Sequence, residues 1–115
     1  MPSNRVEKVN SLLKREISGI ILREISFPDG VMVTLTRVET TSNLIEAKVY
    51  VSTFPENKSG EVFKILNKDV FHIQQKINKK LNMRPIPKIK FANDEETGRL
   101  GRVEELLESL KKEEK

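Results

Sequence analysis

The chain has 115 residues, enough for one domain around a single core. Hydrophobic residues make up 37% and charged residues 33%, which describes a strongly polar globule, and the absence of cysteine excludes disulfides and thiolate metal sites. The net charge of +4 is unevenly held: residues 1–69 carry ten bases against nine acids, residues 70–93 six against none, and residues 94–115 five against eight.

From Asn4 to about Arg23, apolar residues recur at Val6, Val9, Leu13, Ile17 and Ile20 or Ile21, the period of an amphipathic helix. Ser3 or Asn4 can cap its start, with Glu7 three residues after Asn4. Phe27-Pro28-Asp29-Gly30 supplies turn chemistry. Val31 to Val38 is rich in β-branched residues and predicts a strand, Thr40 to Asn43 a polar connection, and Ala47 to Ser52 a second strand. Their close spacing predicts an antiparallel hairpin. Phe54-Pro55-Glu56-Asn57 breaks the pattern. Val62, Leu66, Val70, Ile73, Ile77 and Leu81 then predict a helix of about 22 residues, long enough to bend. Met83-Arg84-Pro85-Ile86-Pro87 stops it, because proline cannot continue the ladder. Lys88 to Ala92 alternates as a short strand, with Ile89 and Phe91 on one face. Leu100, Val103, Leu106, Leu107 and Leu110 predict a tail helix with a charged end. The order is α-β-β-α-β plus a tail helix, an α+β fold. It implies a three-stranded sheet with both long helices on one face, the edge taken by the last strand being open.

No apolar run approaches the roughly 20 residues that cross a bilayer, and the N-terminus lacks a secretory leader's apolar stretch. The sequence therefore reads as a cytoplasmic, membrane-free protein. Its inventory also argues against an enzyme. There is one histidine, His72, placed by its neighbours Phe71 and Ile73 in a packing role, and no glycine-rich phosphate loop or cofactor motif. Asp94-Glu95-Glu96 suits the dipole at the start of a tail helix better than a metal ion.

The acid-free stretch carries Lys76, Lys79, Lys80, Arg84, Lys88 and Lys90. Lys76, Lys79 and Lys80 fall on one side of the second helix, away from Ile73, Ile77 and Leu81. Arg84 sits at the exit, and Lys88 and Lys90 oppose Ile89 and Phe91. Such a patch attracts a polyanion through phosphate neutralisation, and nucleic acid is the first reading. Complementing the helix dipole accounts in part for Lys79 and Lys80, but not for Lys88, Lys90 or the missing acids. Lys14 and Arg15 are secondary candidates, with ordinary helix solubility as their rival reading. Tyr50 can stack on a base or pack in the hairpin, and with no tryptophan there is no stacking platform, so shape and phosphates carry recognition. The alternative function is an adaptor whose basic patch meets an acidic protein.

Several motifs resemble the ribosome-binding factor A family. They are Arg5-Val6, Val33-Thr34-Leu35 through Val38-Glu39, and above all Ser42-Asn43-Leu44-Ile45-Glu46-Ala47-Lys48-Val49-Tyr50-Val51-Ser52, which is similar to the family's S-x-D-L-x-x-A-x-V-Y-v-S signature. Pro87-Lys88-Ile89-Lys90-Phe91 with Asp94-Glu95, and Glu105-Leu106-Leu107, extend the resemblance over residues 5–107. It implies a KH-like fold of the second type, over residues 1–95, with an amphipathic helix and charged tail over 96–115. It also implies a monomeric small-subunit maturation factor, without cofactor or metal, that contacts ribosomal RNA. The family's Ala-x-Gly helix kink falls here on Asp69-Val70-Phe71, without the small residues. Its Asp-Pro-Arg turn becomes Phe27-Pro28-Asp29, and an arginine common in its second long helix lines up with Gln74.

Overall fold

The computed structural model describes residues 4–94. Helix α1 runs Asn4–Glu24, strand β1 Met32–Thr40, strand β2 Glu46–Phe54, helix α2 Ser59–Lys80 and strand β3 Lys88–Asn93, with a 3₁₀ turn Glu56–Lys58 before α2. The expected tail helix, the Ser3 cap and the domain boundary at residue 95 lie outside the described residues. No described helix is long and apolar enough to cross a membrane.

Each element follows from its pattern. α1 buries Val9, Leu13, Ile17, Ile20 and Ile21, one stripe of its surface. α2 buries Val62, Leu66, Ile73 and Ile77, and Leu81 closes it by donating to the Ile77 carbonyl at 2.8 Å. β2 alternates strictly, with Ala47, Val49, Val51 and Thr53 turned inward. The apolar ones among these, with Val38, Leu44, Ile89 and Phe91, form one core between the sheet and the two helices. Both helices therefore cover the same face of the sheet, as the sequence implies. α2 runs as an unbroken helix through Asp69-Val70-Phe71.

The sheet order is β1-β2-β3. β1 and β2 form the expected antiparallel hairpin, with Val38 opposite Val49 and Arg37 opposite Tyr50. A bulge between Leu35 and Arg37 leaves Thr36 unpaired in the ladder, and this keeps Val33, Leu35 and Val38 all on the core side. β3 takes the edge beside β2 and runs parallel to it, Ile89 opposite Ala47 and Lys90 opposite Lys48. A parallel neighbour needs a crossover, and α2 supplies it.

The hairpin connection is tightly built. Leu44 adopts φ 61, a left-handed conformation rare for leucine, and its side chain is buried in the core. Asn43 Oδ1 accepts from the Ile45 N–H at 3.1 Å, and Thr41 and Glu46 pair through their backbones at 2.9 Å. The same connection receives β3, since the Lys88 N–H donates to the Ile45 carbonyl at 2.9 Å.

Candidate nucleic-acid interface

The six cations of the acid-free stretch do not form one surface. Two of them face α1. Lys76 Nζ lies 2.5 Å from Glu24 Oε2, and Lys80 Nζ lies 2.9 Å from Glu16 Oε1. Glu16 also meets Arg15 Nε at 3.4 Å, which places Arg15 in the same cluster. The hydrogen bond from Lys80 holds the Glu16 carboxyl below the usual glutamate range, and those from Lys76 and then His72 do the same for Glu24. Both carboxylates are thus anionic at neutral pH and offset much of the field of Lys76 and Lys80.

His72 is not a core residue. Its side chain is 56% exposed, and its Nε2 lies 3.1 Å from Glu24 Oε1. The apolar neighbours misled the packing expectation, because Phe71 beside it is itself 72% exposed.

The other four cations are placed differently. Lys79 lies on the outward side of α2, where Lys64 and Lys68 recur at helical spacing. Arg84 is exposed in the turn between α2 and β3. Lys88 and Lys90 project from the open face of the sheet, opposite the helices, since Ile89 and Phe91 are buried. None of these four makes an ion pair with a described residue. Lys14 is exposed on α1, one turn before Ser18.

The open sheet face adds a residue that linear reading missed. Lys48 sits directly beside Lys90 in the β2–β3 register, and Glu46 beside Lys88. On its other side Lys48 lies opposite Glu39 of β1, whose carboxylate also meets Arg37 and the Tyr50 hydroxyl, so the repulsion between Lys48 and Lys90 is only partly offset. The alternation of β2 showed Lys48 pointing outward. Its partnership with Lys90 needed the parallel pairing, which the sequence left open. Further along this face the Arg37 guanidinium sits 4.2 Å from the Tyr50 ring centroid, and the Tyr50 hydroxyl donates to Glu39 Oε1 at 3.1 Å. Burial and that bond to Glu39 raise the Tyr50 hydroxyl above its usual value of 10.0, so it stays protonated. With one ring face covered by Arg37, Tyr50 is not an open stacking surface.

Asp94 ends this face. Its side chain is fully buried, its N–H donates to the Val51 carbonyl at 2.9 Å, and its carboxylate receives the Thr36 hydroxyl of the β1 bulge, with Arg37 Nε at 3.9 Å. It therefore anchors the end of β3 across the sheet; Glu95, Glu96 and the expected tail helix lie outside the described residues.

An open cleft of about 940 Å³ lies at the turn from α2 to β3, lined by Asn78, Leu81, Asn82, Met83, Arg84 and Ile86. Lys79 and Lys88 bracket this segment in the chain.

Two helices on one face of a β1-β2-β3 mixed sheet, with α2 as the crossover to a parallel β3, define a small α+β domain of the KH-like kind. The sequence profile of ribosome-binding factor A matches residues 5–107. The chain belongs to the ribosome-binding factor A family. It is 35% identical to the ribosome-binding factor A of Halothermothrix orenii, over 99% of this chain and 94% of that one. It is 37% identical to that of Chlorobaculum tepidum, over 95% and 92%. Among solved structures, a Thermotoga maritima protein studied by NMR as a candidate ribosome binding factor A superposes with a TM-score of 0.67 at 28% identity, covering 84% of this chain and 92% of that one. The crystal structure of ribosome-binding factor A from Thermus thermophilus shares the fold, with a TM-score of 0.65 at 18% identity, over 76% and 94%.

Proposed function

We propose that this protein binds the small ribosomal subunit during its late maturation, through ribosomal RNA, as a cytoplasmic monomer that catalyses no reaction. Family membership supports the ribosomal partner. The observation that carries the RNA contact is the set Lys79, Arg84, Lys88 and Lys90, four cations with no ion pair to a described residue, joined on the open sheet face by Lys48. Lys14 and Arg15 are secondary contacts, and Arg15 shares the carboxylate of Glu16 with Lys80. Lys76 and Lys80, held by Glu24 and Glu16, serve chiefly to join the helices and contribute less to RNA affinity. Recognition is by phosphate position and RNA shape, since the one tyrosine of the sheet is occupied by Arg37.

Neutralising about four phosphates sets a measurable salt dependence. Affinity for a structured small-subunit RNA fragment, measured by fluorescence anisotropy, should fall with salt at a log–log slope of about −3 to −4. A slope near zero would rule out phosphate contact as the source of binding.

A further inference from the structure

The cleft at the turn from α2 to β3 presents donors whose direction is fixed by the strand edge beside it. A backbone N–H only donates, so Gln74 must turn its Oε1 to the Ile89 N–H, 2.8 Å away. Its Nε2 then faces the Pro87 carbonyl and Asn78 Oδ1, each at 3.1 Å. Asn78 Oδ1 is thereby committed as an acceptor toward Gln74. The Asn78 Nδ2 is left with its N–H donors, which meet no acceptor among the described residues. Asn78 lines the cleft, as do the Arg84 guanidinium and the apolar side chains of Leu81, Met83 and Ile86. No acid occurs in residues 70–93 to compete for Arg84.

Resting on the RNA-binding reading above, we propose that this cleft receives one unpaired guanine of the bound RNA. Guanine offers two adjacent acceptors, N7 and O6, to donors such as Asn78 Nδ2 and Arg84. Adenine sets a donor beside its N7, and cytosine offers a donor at N4. Leu81, Met83 and Ile86 form the apolar wall against which the plane of an unstacked base packs, the usual mode of reading single-stranded RNA. The cleft lies within the roughly 300–1,000 Å³ of small-ligand sites. Phosphate contacts thus position the RNA, and Asn78 with Arg84 reads one base of it.

The test uses the full chain and five RNA hairpins that differ only in one bulged position: guanine, adenine, cytosine, uracil or an abasic site. The guanine hairpin should bind about tenfold tighter than the abasic one and several-fold tighter than the adenine one, the discrimination expected of a good base-edge pair. Asn78→Leu should remove most of the preference for the guanine hairpin over the adenine one, while the abasic hairpin still binds more weakly than either. A second readout needs no variant: the Asn78 side-chain amide resonance of the unaltered protein should shift with the guanine hairpin and stay in place with the abasic one. Equal binding of all five hairpins, with a steep salt slope, would overturn the guanine site while leaving the phosphate reading intact. Failure to bind any hairpin overturns it as well, and failure to bind small subunits in the same assay would take the RNA-binding reading down with it.

Discussion

The carboxamide of Gln74 does for the edge of β3 what a further strand would do. In a parallel pair, alternate residues turn their backbone groups toward and away from the neighbour. Lys88 faces β2 and donates to Ile45, so Ile89 and Pro87 face away. Gln74 then satisfies both, accepting from one and donating to the other, with part of the bond system out of water. Removing it leaves these groups unpaired in a partly buried place. Gln74→Leu should therefore destabilise the fold by about 1–3 kcal/mol in urea unfolding, and Gln74→Glu by at least as much at neutral pH, because its second carboxylate oxygen faces the Pro87 carbonyl oxygen. Unchanged midpoints for both would show that water replaces the carboxamide at no cost. In the sequence, Gln74 is one polar residue between Ile73 and Ile77, with nothing to mark it. No hydrophobic period encodes a side chain that bridges to a strand fifteen residues later.

At the scale of elements, hydrophobic period decided most of what was legible. Each helix and strand buries one face, so the steps of three and four in α1 and α2 and the alternation in β2 and β3 had to appear in the sequence. Three features escaped. The bulge at Thr36 adds one residue inside a β-branched run, which leaves no compositional mark. The place of β3 was open because a six-residue alternating strand reads alike beside β1 or β2. The ion pairs between α1 and α2 join Glu16 to Lys80 and Glu24 to Lys76 and His72, residues far apart in the chain. These pairs give the helix contact a pH dependence. Both glutamates have lowered pKa values in the folded state, so their contribution is complete above the usual 4.5 and is lost as pH falls through it and on through the depressed folded values. The parent and a Lys76→Gln/Lys80→Gln variant should differ in urea midpoint at pH 7 and converge by about pH 3, because the variant lacks the shift that acid removes. A difference that stays constant across that range would show that the pairs do not stabilise the fold.

For the whole molecule, charge in sequence and charge in space tell related but different stories. The acid-free run from residue 70 to 93 suggests one patch of six cations. Folding returns two of them to acids of α1 and separates the rest between the outward side of α2, the turn after it and the open sheet face. It also adds Lys48, which lay outside the run because β3 had not yet been set beside β2. What linear charge could not show is compensation across elements, and that is why its site was too broad in one place and too narrow in another. On the proposed reading, the cations without an ion pair, not the paired ones, hold the ribosomal partner. The most direct measurement is co-sedimentation with purified small subunits at fixed salt, comparing the parent, a Lys79→Gln/Arg84→Gln/Lys88→Gln/Lys90→Gln variant and the Lys76→Gln/Lys80→Gln variant, each first shown to be folded. The fourfold variant should lose binding by about a hundredfold or more, while the paired-lysine variant stays close to the parent. Undiminished binding by the fourfold variant, or an equal loss in the paired-lysine variant, would contradict that reading.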